Sequence, residues 1–318
     1  MQLTVLDIDG SVTGQPLFTG LIARGKARVI DMRALEPRLR IIASHQAHHD
    51  LLLALEPIPR DEGPPIVFYG SGDFHHVTAS LLAHYDEPLT VIHFDSQPDW
   101  VRWPQSHTCG GWVCRALELA HVRRVITLGV GSGKLVRPEL KLANLSAVED
   151  GRIEVYPWRH PPSRVYRWHR DTKSTTYDGR YLHWRELADE DWASFLNEMT
   201  ALLPTEAVYI SIDKGVLGES GANAGHTPGP MLLGHVLEAL EVIAANCKVV
   251  GVDVCGDYSP PGTTDMFPRA LVPRRVQRPP TIAELAGNEA ANARLLACLG
   301  VTAGGKTPML PLHRPAGS

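Results

Sequence analysis

The chain has 318 residues and a formal charge of -4, with 44% apolar and 21% charged residues, so it is long enough for a sizeable core and ordinary in balance for a globular protein. The slight negative charge argues against nucleic acid or an anionic membrane as the main partner, and no apolar run reaches the roughly 18 residues of a membrane span. The N-terminus lacks a basic segment followed by an apolar run, and Cys109, Cys114, Cys247, Cys255 and Cys298 form no regular framework. Both features predict reduced thiols in the cytoplasm.

Along the chain, short apolar runs alternate with amphipathic segments, which predicts an α/β fold with a mostly parallel sheet flanked by helices. An apolar run leads first into Leu6-Asp7-Ile8-Asp9-Gly10-Ser11. His45, His48 and His49 come next, in a segment that reads as a polar, solvated helix face. Continuous Val/Ile-rich runs at 65–69, 89–94, 124–130, 207–212 and 248–254 predict strands buried on both faces. Helical patterns fill 77–84, 112–120, 231–245 and 282–299, and Thr281 with Glu284 has capping-box spacing. The stretches 158–181 (Arg, His and aromatics), 218–230 (Gly) and 258–280 (Pro) read as irregular, the kind of long loop that carries binding or lid functions. No internal repeat is evident, so one domain over 1–300 with a weakly ordered tail at 301–318 is expected.

The strand ends are the informative places. The run at 65–69 leads into Gly70-Ser71-Gly72-Asp73-Phe74-His75-His76, the run at 89–94 into Asp95-Ser96-Gln97-Pro98-Asp99-Trp100, and the run at 207–212 into Asp213-Lys214-Gly215. In a parallel sheet these ends share the carboxyl edge, where open α/β folds bind ligands. Carboxylates gathered there repel one another unless a cation sits between them, so a divalent metal is the economical explanation. Taken one at a time, the same aspartates also suit helix caps and turns. His107, in a loop after Asp99, has an intrinsic pKa suited to proton relay and is equally an ordinary loop histidine.

Here the sequence resembles the arginase and agmatinase (ureohydrolase) superfamily. His93-Phe94-Asp95-Ser96-Gln97-Pro98-Asp99 is similar to its Asp-Ala-His-x-Asp signature, and Ser211-Ile212-Asp213-Lys214-Gly215 to its Ser-x-Asp-x-Asp segment. Gly70–His75 is similar to its Gly-Gly-Asp-His with one residue inserted, and Thr227-Pro228-Gly229-Pro230 to its Thr-Pro-x-x-Gly-Gly turn. The matches run from about 65 to 260 in family order and look nearest to a branch that includes peptide arginases. The resemblance implies a three-layer fold and a paired manganese site. One ion would take His75, or His76 if the insertion is placed differently, with Asp95, Asp99 and Asp213. The other would share Asp95 and Asp213 and need His at 97 and Asp at 215, where this chain has Gln97 and Gly215. One manganese is therefore expected rather than two. Asp95 and His107 are the expected catalytic residues, and Asp257, near a substrate-binding acid of the family, is expected to meet a guanidinium.

The expected function is metal-dependent hydrolysis of a guanidino or related C–N bond in a small molecule or peptide residue, with a homo-oligomer allowed by the resemblance. The alternative is a non-catalytic binding protein of the same fold. A third reading rests on Asp7-Ile8-Asp9-Gly10-Ser11, which resembles the opening of haloacid-dehalogenase-type phosphatases, with Lys134 and Asp257 as later partners. It leaves the cluster at 93–99 unexplained. Gly129–Lys134 resembles a phosphate-binding loop, but Leu128 and Leu135 break its spacing, and a tight strand-to-helix turn suffices.

Overall fold

In the computed structural model, which describes residues 2–59, 63–103, 106–218, 229–260 and 279–300, the apolar runs form one parallel sheet. Its strands are β1 (Gln2–Asp7), β2 (Ala27–Asp31), β3 (Pro65–Phe68), β4 (Leu89–Phe94), β5 (Val122–Val130), β6 (Ile153–Pro157), β7 (Ala207–Asp213) and β8 (Lys248–Cys255). They lie in the order β2-β1-β3-β8-β7-β4-β5-β6, every pairing parallel. Five of them match the predicted runs, and β1 is the apolar run before Asp7-Ile8-Asp9. The two edge strands escape such a reading: β2 is nowhere buried, and the apolar run of β6 is broken by Glu154.

Strand alternation sends successive side chains to opposite faces and so builds two cores. Leu6, Val67, Val91, Val125 and Val155 enter one core, beneath the helices His45–Leu55, Val77–Leu82, Trp112–Ala116 and Leu145–Glu149. Val5, Ile66, Ile92, Ile126 and Val252 enter the other, beneath Pro16–Ala23, Trp192–Ala201, Leu233–Asn246 and Ile282–Cys298. The result is the expected three-layer α/β architecture.

Two local expectations fail. The stretch 158–181 is not wholly irregular: Ser163–Arg164 and Thr175–Tyr177 flank Tyr181–Trp184 in a small antiparallel sheet, whose strands are too short to show periodicity. His48 is half-buried rather than solvated, its ring stacked on His107, while His45 and His49 are exposed as expected. The tail at 301–318, Thr227-Pro228 and most of the Gly- and Pro-rich stretches lie outside the described residues.

The strand order positions the site. From β3 the chain skips two places to β4, and the gap is filled late by β8 and β7. The carboxyl ends of β3, β8, β7 and β4 are therefore neighbours at the centre of the sheet. Against the second core, the helix Ile282–Cys298 starts on the predicted box: Thr281 Oγ1 accepts from Glu284 N at 3.2 Å, and Glu284 Oε2 accepts from Thr281 N at 2.7 Å. Thr281→Ala is expected to lower unfolding stability by about 1 kcal/mol in urea titrations. No change would mean the helix start contributes nothing to the fold.

Candidate metal centre

Three carboxylates from two strand ends converge on Nδ1 of His75, which follows a third strand. That nitrogen lies 3.1 Å from Asp99 Oδ2, 3.5 Å from Asp95 Oδ2 and 3.6 Å from Asp213 Oδ2. His75, Asp95 and Asp99 are buried, and Asp213 nearly so. His93, within β4, adds Nε2 at 3.3 Å from Asp95 Oδ2. Cys255, at the end of β8, offers its Sγ to the His75 and Asp213 side of the cluster.

The backbone is shaped to hold these groups. Asp99 adopts φ 42°, a left-handed conformation that Asp tolerates better than most residues and that is often found at functional sites. Gly256 has φ +92°, and a Cβ there would lie 2.5 Å from Asp213 Oδ1; a Cβ on Gly72 would lie 2.6 Å from Asp213 Oδ2. Both glycines leave room for that carboxylate. Trp112 Nε1 donates to Asp99 Oδ2 at 3.0 Å.

One layer below the strand ends, His93, Ser211 and Asp253 sit side by side in register, with Thr127 beyond His93. This buried polar row orients the imidazoles. Ser211 Oγ donates to Asp253 Oδ1 at 2.8 Å and is 3.1 Å from His75 Nε2. The one hydroxyl proton goes to the carboxylate, so Ser211 accepts from Nε2–H and leaves the lone pair of His75 Nδ1 facing the aspartates. Likewise His93 Nδ1 meets Thr127 Oγ1 at 3.2 Å, with Nε2 turned to Asp95. His75 Nδ1 and His93 Nε2 are both buried without a hydrogen-bond partner.

Three carboxylates and a bare imidazole nitrogen in a dry pocket need positive charge. With protons alone, burial opposes charging of His75, yet Asp95, Asp99 and Asp213 outweigh it and raise its pKa well above the usual histidine value. Burial, then the Asp95 charge, pushes the Asp99 carboxyl up to about 7. Asp95 behaves oppositely: burial works to raise it, but His75 and His93 overcome this and hold it well below its ordinary value. A divalent cation would answer the same need without protonating any donor, and the donors are the right kind: His75, His93, Asp95 and Asp99 bring donor atoms within 4.8 Å of one another, and His75, Asp213 and Cys255 form a second such group.

The remaining predicted residues fall around this cluster. His76 turns away from the aspartates; it is fully buried, both ring nitrogens lack hydrogen-bond partners, and burial lowers its pKa to about 3. His107 stacks on His48 at 3.6 Å, burial lowers it to about 4, and no described hydrogen bond or ion pair ties it to the carboxylates. Asp257 is buried and shares one oxygen among several donors, while its Oδ2 is without a hydrogen-bond partner among the described residues. Its Oδ1 takes Lys214 Nζ at 2.7 Å, Gln15 Nε2 at 2.8 Å and Asn288 Nδ2 at 2.6 Å. Lys214 is fully buried and places its other two protons on Asn288 and Asn292, both at 2.8 Å. Gln97 and Gly215 give backbone N–H groups to Asp95 Oδ1 at 3.0 Å and Asp213 Oδ1 at 2.6 Å. Asp7 pairs with Arg33 at 3.0 Å, and Asp9 binds Ser11, at the end of β1 and apart from Lys134. The phosphatase pairing does not form.

His93 and the Lys214–Asp257 pair are what sequence reasoning missed. Their only signal was a charged or ring side chain beside residues read as apolar strand.

No family model matches the chain. An uncharacterized protein of Thermotoga maritima is 25% identical over 195 residues, which is 61% of this chain and 59% of that protein, so less than two thirds of the relative is spanned. Among solved structures, the arginase of Bacillus caldovelox superposes with a TM-score of 0.53 at 16% identity, covering 92% of this chain and 97% of its own. This is the arginase fold. Formimidoylglutamase of Bacillus subtilis shares it at a TM-score of 0.54 and 16% identity, over 92% of this chain and 87% of that one. A hypothetical agmatinase of Burkholderia thailandensis shares it at 0.54 and 13%, over 93% and 85%.

Within that fold, Lys214 carries a buried charge balanced by one partner. Lys214→Ala should destabilise the protein by about 3–5 kcal/mol in urea unfolding, because Asp257 would remain buried and uncompensated. A loss below about 1 kcal/mol would show the pair to be solvated.

Proposed function

We infer that the protein is a metal-dependent hydrolase of the ureohydrolase kind, acting on a guanidino or related C–N bond of a small molecule or peptide residue. The observation that carries this reading is the bare Nδ1 of His75 within 3.1–3.6 Å of three carboxylate oxygens. His75, Asp95, Asp99 and Asp213 are assigned as ligands of one divalent ion, taken to be manganese, with His93 and Cys255 within reach. Such an ion supplies Lewis acidity and water of lowered pKa. The chain's own part is to orient and to exclude. The Asp253–Ser211–His75 relay fixes one imidazole, Trp112 fixes Asp99, and the buried walls keep bulk water out.

The single-ion reading rests on how the carboxylates are used. Asp95 and Asp213 would have to bridge two ions, yet each turns Oδ1 back to a backbone N–H, at the two positions where a second ion would need His and Asp. In each, Oδ2 is the oxygen turned toward His75. The same geometry, with Asp257 occupied by Lys214, favours the second reading: a binding protein that keeps the ion and has lost turnover. The five free cysteines suit a reducing compartment for either.

Metal analysis of protein purified without chelators, paired with assays for urea or ammonia from guanidino compounds, separates these readings. One manganese per chain with product supports the hydrolase, one without product supports the binder, and no metal with no shift in Tm on adding manganese removes both. Gln97→His with Gly215→Asp should raise bound metal toward two per chain; an unchanged ratio would mean that these residues do not occupy the second-ion positions. Ser211→Ala should weaken manganese binding by about 10–100-fold, since it frees the His75 tautomer. Calorimetric titration of the metal-stripped protein reads this directly, and wild-type affinity in the variant would remove Ser211 from the relay.

A further inference from the structure

Half of the exposed large apolar side chains among the described residues fall on one surface: Trp103, Val136, Leu140, Leu142, Tyr166 and Trp168. Trp168 is 74% exposed and Leu140 66%, far beyond what isolated surface residues need. Three segments are tied side by side to make it. Val101 bridges to Ala143, Arg102 N donates to the Leu142 carbonyl at 2.9 Å, and Tyr166 N and Arg167 N donate to Glu139 at 2.6 and 3.1 Å. The charge on this surface is mostly positive, the acids at its border being paired: Asp150 with Arg170 at 3.1 Å and Glu118 with Arg115 at 2.8 Å. In 131–142 and 161–170 every exposed charged residue is a cation: Lys134, Arg137, Lys141, Arg164, Arg167 and Arg170. The one acid in these segments, Glu139, is consumed by the backbone of Tyr166 and Arg167. That runs against the chain's net charge of -4.

The surface begins at the rim of the metal centre, because Gly131 N and Ser132 N both donate to the carbonyl of Ser96, beside Asp95. It ends in a cavity of about 430 Å³ lined by Arg102, Trp103, Thr108, Cys114, Arg115 and Asn144. We propose that this surface docks an acidic polypeptide segment with interspersed apolar side chains, one of which anchors in the cavity beside Trp103. Apolar side chains beside an excess of unpaired cations, Lys134, Arg137 and Arg167 among them, select a partner that is both apolar and acidic. Nucleic acid supplies the negative charge but has no use for Val136, Leu140 and Leu142, which cannot stack on bases. A bilayer surface sends no side chain into a cavity. Docking needs no chemistry at the metal centre, so loss of binding and loss of metal are separate results.

The test uses the full chain and a fluorescein-labelled synthetic peptide of about 15 residues that alternates Glu or Asp with Leu or Phe. Its controls are the same peptide with Lys for each acid, an oligothymidylate, and phosphatidylglycerol vesicles. Saturable binding of the acidic peptide is expected, weakening as salt rises from about 0.05 to about 0.3 M. Lys134→Glu/Arg137→Glu/Arg167→Glu should weaken it by roughly tenfold or more, and so should Leu140→Ser/Trp168→Ala, with metal content and Tm kept. These positions are exposed, so the variants are expected to fold, and the salt series needs no variant. Absence of saturable binding overturns the proposal, as does equal affinity for the Lys peptide or wild-type affinity in both variants. Binding of oligothymidylate or vesicles without the acidic peptide overturns it in favour of nucleic acid or membrane.

Discussion

The arrangement turns on electrostatics in a dry place. Three aspartates are brought to within 3.6 Å of one imidazole nitrogen, where bulk water screens them little. Protons can relieve the repulsion only by neutralising the groups that define the site. A divalent cation relieves it while leaving every ligand ionised, and the rest of the local structure is consistent with that solution. The strained backbone at Asp99, the missing side chains at Gly72 and Gly256 and the hydroxyl relay behind His75 each hold one donor in place.

Topology makes the convergence possible. Asp95 and Asp213 belong to neighbouring strands β4 and β7 although they stand far apart in the chain, because β7 and β8 slot into a gap left open earlier. The same insertion aligns His93, Ser211 and Asp253 across three strands, so the supporting row comes from register rather than from any loop. A site built on rigid strand ends and backed by strand residues is better fixed than one carried by loops.

Much of this was legible in the sequence, for identifiable reasons. Buried central strands show as continuous apolar runs, and aspartates immediately after them stand out, so Asp95, Asp99 and Asp213 could be named. The edge strand β2 could not, because half of it faces outward and carries no apolar run. His93 was hidden because it lies inside β4, where its polarity passes for a flaw in the strand, and only the pairing with Thr127 and Ser211 gives it a purpose. Asp257 shows a different limit. An acid near the right place in family order suggested substrate contact, but its partner Lys214 sits in another segment, and no one-dimensional pattern links them.

Asp213 and Lys214 are adjacent and show how the fold separates two charge problems. Asp213 faces the cluster, with its Oδ2 3.6 Å from His75 Nδ1. Lys214 starts the next turn and is buried against Asp257, Asn288 and Asn292 from the late segments, with all three of its protons placed. The second system is balanced by the chain itself and joins β7 and β8 to the helix Ile282–Cys298 whether or not an ion is present. The first gathers donors of the kind that could hold a metal ion, so the two systems part the work: one ties the late helix to the sheet, and the other presents its carboxylates and imidazoles at the strand ends.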